Sequence, residues 1–306
     1  MTNKHPFLPL HSRSHQLNHF SQNTNVSCFI KRDDELSSGM AGSKCRKYAS
    51  LFPALRDLGI KHLFLIGSKH SNHILAASQC AREYNFTITA LLLKSHHISN
   101  DGNFKLSRLL IGEENIIWIE RDAWSSVEEI AKALVQKQIE KSFVVPEGGA
   151  CQHSMLGAQT LADDIIKNEQ QLGVKFKHIF LDAGTGLSAI AAIQRLEALN
   201  HKAMRYVLLL ADPPELFEEK YKTLCQASLV HTQLLRPSNA KSFGAVNTTV
   251  KNFIKIFAKQ QGVLLDPIYS AKLFFEAQHY LNSQSISGNV LVVHSGGTLS
   301  LPNFNL

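Results

Sequence analysis

The sequence predicts an α/β fold built on mainly parallel sheets, and three observations carry that reading. Short apolar runs of strand length alternate with helix-period segments along nearly the whole chain. Several of these runs stop at glycine, proline or aspartate, as K-H-L-F-L-I-G does at Gly67. The loops after them carry Gly, Ser, Thr and Asn instead of bulk, which is where open α/β sheets place their ligands. A chain of 306 residues can bury a large core and is more typical of two domains than one.

Taken in order, a short extended run over Ser27–Ile30 leads into K-R-D-D-E-L-S-S-G-M-A-G-S-K-C-R-K, Lys31–Lys47. Gly39 and Gly42 loosen this loop, and Lys44 falls at a helix start with Ser43 in N-cap position. A lysine beside the positive end of a helix and the cations Arg46 and Lys47 has its pKa lowered and its amine made more nucleophilic. The plainer reading is a solvated basic helix start. The helix should reach about Leu58, end at Gly59, and kink or restart at Pro53.

Lys61–Gly67 predicts a buried strand, and S-K-H-S-N-H then opens a helix over Ile74–Tyr84. Strands are expected at Phe86–Leu93, Asn115–Ile119 and Ser142–Val145, with helices at Gly102–Leu110 and Val127–Ile139 between them. Pro146–Gly149 stops the last of these strands. A longer helix follows over Ser154–Gln171, then a strand at His178–Leu181 running into D-A-G-T-G-L-S-A, Asp182–Ala189. An Ala-rich helix continues to Leu199. Arg205–Ala211 reads as a strand that stops at D-P-P. Thr248–Gln261 and Ile268–Leu281 are helical by period, and Asn289–Val293 is a final buried strand before H-S-G-G-T.

Composition narrows the function. Hydrophobic content of 44% and charged content of 19% describe a globular enzyme. The net charge of +7 is scattered, with no run of five basic residues, so it suits small anions better than nucleic acid. No apolar stretch approaches membrane-spanning length, and no apolar signal region precedes the fold. Five cysteines without a C-x-x-C pair fit a reducing cytoplasm. His11, His15 and His19 stand four apart, but Pro6, Pro9 and polar neighbours make a metal-binding helix doubtful. A disordered or surface arm is expected there, and no metal is assigned.

Four loops could carry chemistry: Ser71-Asn72-His73, Glu147-Gly148-Gly149, Gly184–Ser188 and His294–Thr298. Gly184-Thr185-Gly186-Leu187-Ser188 offers backbone N–H groups and two hydroxyls to one phosphate at a helix N-terminus. It also reads as G-x-G-x-x-A, a weak dinucleotide fingerprint with Asp212 as ribose partner, which keeps an NAD(P)-dependent oxidoreductase open as an alternative. Ser71 and Asn72 could turn a hydroxyl and an amide toward a ligand, but on this loop alone the helix N-cap, which both residue types serve well, is the stronger reading.

Together these loops resemble one family. K-R-D-D followed by G-S-K-C-R-K, S-N-H at Ser71–His73, P-E-G-G-A at Pro146–Ala150, D-P-I-Y at Asp266–Tyr269 and H-S-G-G at His294–Gly297 are similar to motifs of the pyridoxal-phosphate enzymes that include D-cysteine desulfhydrase and 1-aminocyclopropane-1-carboxylate deaminase. The resemblance implies the tryptophan-synthase-β-like fold (fold type II), with the cofactor between two domains. Residues 45–155 would form the smaller domain, inserted into a larger one of 1–44 and 156–306. It implies that Lys44 holds pyridoxal 5'-phosphate as a Schiff base and then shuttles protons, with Asn72 on the ring hydroxyl and Ser71 as a catalytic residue that contacts the substrate carboxylate or assists deprotonation. Gly184, Thr185, Gly186, Leu187 and Ser188 would hold the phosphate. Tyr269 would be an acid–base group, with Ser270 and Ser295 near the pyridine nitrogen. A small amino acid as substrate, a homodimer and a cytoplasmic lyase or deaminase follow from the same likeness.

Three departures from the family pattern stand out. Leu187 replaces a frequent glycine and Phe243 a tyrosine. Ser270 stands where cyclopropane-opening members carry glutamate. A hydroxyl would leave the ring nitrogen largely neutral, which favours β-elimination of a thiol over opening a cyclopropane.

Overall fold

A computed structural model describes residues 10–95 and 101–306. Its ten strands are β1 (Ser14–Gln16), β2 (Val26–Arg32), β3 (His62–Ser68), β4 (Thr87–Leu93), β5 (Ile116–Ile119), β6 (Ser142–Val145), β7 (Phe176–Ala183), β8 (Met204–Leu209), β9 (Thr232–Leu235) and β10 (Gly288–His294). The helices are α1 (Lys44–Asp57), α2 (Asn72–Glu83), α3 (Gly102–Ile111), α4 (Val127–Gln136), α5 (Met155–Leu172), α6 (Leu187–Ala198), α7 (Pro214–Cys225), α8 (Thr248–Gln261) and α9 (Ser270–Ser283). One sheet has the order β1-β2-β10-β7-β8-β9 and the other β5-β4-β3-β6. Every pairing is parallel except β1 with β2. The fold is therefore the predicted α/β class with two parallel-dominated sheets.

Strand side chains alternate between faces, and the cores follow that period. On the six-stranded sheet Ile179, Leu181, Val207, Leu291 and Val293 pack with α5, α6 and α7. Their neighbours Phe180, Tyr206, Leu208, Val290 and Val292 pack on the opposite face with α8 and α9. On the four-stranded sheet Leu63, Leu65, Ile88, Ala90 and Leu92 meet α1 and α2, while Phe64, Ile66 and Leu91 meet α4. Apolar residues on both faces explain why these strands read as continuous runs.

Four elements depart from expectation. The strand β1 was not anticipated: residues 11–20 pack on the body instead of forming a loose arm. Ser12 Oγ donates to Asp33 and Ser14 Oγ to Asn168. His15 lies in β1 and His11 pairs with Asp164, so the three histidines do not share a helix face. Helix α7 follows Pro213-Pro214, where a proline at the first helical turn starts a helix as readily as it stops a strand. Its Phe217 and Tyr221 are buried one turn apart. Strand β9 is a short, half-buried edge without strong alternation. Helix α1 continues through Pro53 without restarting, and Ser43 has helical dihedrals and makes no side-chain cap.

A buried ionic cluster ties the N-terminal segment to α1 and α5. Lys31 Nζ donates to Ser12 O (2.5 Å), Asp164 Oδ2 (2.5 Å) and Asn168 Oδ1 (2.7 Å). Arg46 clamps Asp33 with Nε and Nη2, both at 2.7 Å, and reaches Asp164 Oδ2 at 2.7 Å. No helix of the described residues is long and apolar enough to cross a membrane.

Candidate active site

Lys44 opens α1 directly after a turn that only glycine can make. Gly42 has φ +53°, and a Cβ there would stand 2.6 Å from Ser295 O. Ser43 N donates to that same carbonyl at 2.8 Å, so the loop after β10 holds the loop that carries the lysine. Lys44 Nζ sits 6.0 Å from the centroid of the Tyr269 ring. Burial lowers its pKa, opposed by the carboxylates Asp182 and Asp266. The neighbouring cations are not the cause: Arg46 is turned onto Asp33 and Asp164, and Lys47 donates to Gly148 O at 3.0 Å. Lys47 is itself held well below its ordinary pKa by burial and by Lys44.

Beyond Lys44 lies a cavity of about 560 Å³, within the range of small-molecule sites. Nine of the eleven residues singled out in the sequence line it: Lys44, Ser71, Asn72, Gly184, Thr185, Gly186, Ser188, Tyr269 and Ser295. Leu187 and Ser270 do not. The Leu187 side chain packs in the core above β7, leaving only its backbone at the first turn of α6. Ser270 is fully buried, its Oγ 2.7 Å from Asp266 Oδ1 and its N donating to the same oxygen.

The loop at the end of β7 is built for close approach. Gly186 takes φ +89° at the N-cap of α6, and a Cβ would meet the Phe217 ring at 3.2 Å. A Cβ at Gly184 would meet Tyr269 Cε1 at 3.0 Å. The first-turn N–H groups of α6, with the Thr185 and Ser188 hydroxyls, make an anion cradle. Asp212, the ribose partner of the dinucleotide alternative, is ion-paired with Lys220 at 2.5 Å and does not line the cavity.

Tyr269 and Phe243 meet edge to face, with centroids 6.0 Å apart. Burial, with Asp266, Asp182 and Glu147, raises the Tyr269 pKa, so the phenol keeps its proton at neutral pH. Ser71 serves as an N-cap and also faces the cavity. Its Oγ caps α2 by accepting from His73 N at 3.1 Å, and it lines the cavity.

Sequence reasoning missed three further groups here. Asp182 lines the cavity at the end of β7, hydrogen-bonded to Ser295, its pKa raised chiefly by burial. Its signal was present, a charge closing a buried strand just before a Gly loop, but read only as a strand stop. His73 is 2% exposed, and its Nδ1 is 2.6 Å from Tyr48 Oη. Burial, then Lys44 and Lys47, push it down to about 3, so it is neutral. Its Nε2 is buried without a partner among the described residues. Asn103 stands behind Asn72.

A buried amine of lowered pKa, an anion cradle opposite it and a protonated phenol between them define a site for a phosphorylated carbonyl cofactor. The comparisons say which. Over residues 9–296 the chain matches the family of pyridoxal-phosphate dependent enzymes, and it belongs to that family. Its cofactor is pyridoxal 5'-phosphate, and the glycine cradle and unpartnered His73 Nε2 fit such a group. A bifunctional D-cysteine desulfhydrase/1-aminocyclopropane-1-carboxylate deaminase of Arabidopsis thaliana is 28% identical, over 89% of this chain and 73% of its own length. The D-cysteine desulfhydrase of Serratia proteamaculans is 26% identical over 89% and 87%. The crystal structure of an ACC deaminase homologue superposes with a TM-score of 0.83 at 23% identity, covering 95% of this chain and 90% of that one.

Proposed function

We propose that this enzyme is a lyase that takes the α-proton from a small amino acid and eliminates a β-substituent, with D-cysteine as first candidate. The observation that carries the proposal is the pairing of a base and an acid across one cavity. Lys44 is favoured as a free amine by burial, and Tyr269 is held as a phenol by burial and three carboxylates. Lys44 would hold the cofactor, Gly184–Ser188 its phosphate, Asn72 its ring oxygen and Ser295 its ring nitrogen. Bound pyridoxal phosphate supplies an electron sink for the α-carbanion. Once displaced by substrate, Lys44 is the group that takes the α-proton, and the Tyr269 hydroxyl donates to the departing thiolate. The two carry the site's proton transfers, since Phe243 brings no second phenol. Hydrolysis of the remaining unsaturated amine would give pyruvate and ammonia beside sulfide.

A second reading, opening of 1-aminocyclopropane-1-carboxylate, is favoured by Asp182. The argument from position 270 weakens because Ser270 faces Asp266, not the cavity, whereas Asp182 brings a carboxylate to Ser295. Turnover of D-cysteine and the cyclopropane amino acid, measured side by side, decides between them. Sulfide release with the cyclopropane inert is expected, and the reverse would overturn the first reading.

We also propose residues 45–155, which contain β3–β6, as a small domain inserted between 1–44 and 156–306. A homodimer in the cytoplasm completes the proposal, and the five free thiols suit a reducing compartment.

A further inference from the structure

Asn103 does not reach the cavity, yet it decides what Asn72 can offer there. It lies fully buried in the first turn of α3. Its Nδ2 donates to the backbone carbonyl of His70 at 3.1 Å and to Asn72 Oδ1 at 2.6 Å. Both N–H groups of that nitrogen are thereby used. A peptide carbonyl only accepts, so the Asn103 amide cannot be turned round without setting its oxygen against two others. Asn72 must therefore present its oxygen to Asn103 and its nitrogen to the far side. There Asn72 Nδ2 faces the loop after β10, close enough that a Cβ on Gly297 would stand 2.5 Å from it.

His70 is held in turn. Its Nδ1 is 3.1 Å from Asn303 Nδ2, in the C-terminal turn Thr298–Asn303. The Asn303 amide also fills the space a side chain at Gly102 would need, which leaves α3 free to start one residue before Asn103. The Oδ1 of Asn103 is buried with no partner among the described residues, so this orientation does not serve to satisfy that acceptor there. Packing alone would not select an asparagine here.

We propose that Asn103 is a positioning residue that fixes Asn72 as a pure donor toward the cofactor ring oxygen, favouring the ionised form of that oxygen. The proposal rests on the placement of the cofactor given above. An anion accepting from a fixed N–H donor is stabilised, and a proton shared with it is lost at lower pH.

The test is a spectroscopic titration of the holoenzyme, without substrate. In Asn103→Leu the Asn72 amide is free to turn. The pH midpoint of the visible cofactor band should then rise by about one unit, the size expected for one weakened hydrogen bond to a charged group. Asn72→Ala should raise the midpoint at least as far, and Asn72→Ala with Asn103→Leu should go no further than Asn72→Ala alone, since Asn103 acts only through Asn72. Asn103→Ser keeps one donor and should give a smaller rise. It serves in the same cycle if the leucine variant does not fold. An unmoved midpoint in both Asn103 variants, or shifts that add in the double variant, would overturn the proposal. A wild-type protein with no visible band and no borohydride-fixed label on Lys44 would overturn the cofactor site itself.

Discussion

Arg46→Met removes the cation at the centre of the buried cluster, and the bonds it makes set the cost. Asp33 is fully buried and takes two guanidinium bonds of 2.7 Å from Arg46, leaving Ser12 Oγ at 2.6 Å as its remaining direct donor. Asp164 loses one bond at 2.7 Å but keeps Lys31 Nζ and Ser12 N. The penalty therefore falls on Asp33, a buried carboxylate left with one neutral donor. Breaking such a pair costs about 3–5 kcal/mol. Equilibrium urea unfolding of the apoprotein should show that loss. Asp33→Asn in the same chain should recover a large part of it, because removing both charges leaves no unpaired ion.

The pH dependence supplies a second readout. In the wild type, burial pushes Asp33 up but Arg46, with Lys31 and Ser12, more than compensates, and its pKa ends below the ordinary value. Asp164 is likewise held down, at about 2, with burial outweighed by Lys31 and Arg46. Both contribute stability that is present above the unfolded carboxylate range and lost as pH falls through the folded pKa. In Arg46→Met burial acts on Asp33 with less opposition, its pKa rises, and protonation relieves the strain. The gap between variant and wild type should narrow from pH 7 toward pH 4. A loss under 1 kcal/mol at pH 7, or a double variant less stable than Arg46→Met alone, would refute this account.

Three shorter predictions follow from the cavity. Ser188→Ala removes a hydroxyl donor to a dianion, worth about 1.5–3 kcal/mol, and should weaken cofactor retention in equilibrium dialysis by roughly ten- to a hundredfold. Ser270→Glu, which sequence comparison suggests as a way to restore a ring-nitrogen partner, instead forces a second carboxylate against Asp266 in a fully buried site. It should lower the melting temperature of the apoprotein sharply, and a stable variant with altered substrate preference would show that position 270 faces the cavity after all. Asp182→Asn removes a carboxylate that raises the Lys44 pKa, so the free amine should persist to lower pH. The midpoint of borohydride-trapped pyridoxal phosphate capture by the apoprotein should move down, and an upward move would contradict the assigned charge partner.

What the sequence made legible was what lies close together along the chain. The lysine turn and the cradle at Gly184–Ser188 are each a few consecutive residues whose dihedrals and donors are dictated locally. Asp182 opens the D-A-G-T-G-L-S-A segment, and nothing in its local sequence assigns it a role. In a strand buried on both faces, neither period nor composition says where the terminal side chain points. Asn103 carries no motif and acts through an amide thirty-one positions away in the chain. Ser270 was misplaced for the opposite reason. It follows Tyr269 in a recognisable motif, but at the start of α9 adjacent residues leave the helix in different directions, and only Tyr269 turns to the cavity. The N-terminal segment was read as loose because its polar residues look solvated, and only the folded partner Asp164 shows that they are paired.

The seating of Gly42 and Ser43 against Ser295 also fixes when this protein can come into being. On the ribosome the chain emerges from its N-terminus, and the four-stranded sheet has all its strands once Val145 is out. The other sheet cannot close so early. An inner member, β10, is made after all the other described strands, and until it arrives β1-β2 and β7-β8-β9 are two fragments with bare facing edges. The backbone that steadies Lys44 comes with the same late segment. The seat of Lys44 is thus incomplete until β10 and the loop after it are made, and until then the bare edges of both fragments are open to mispairing.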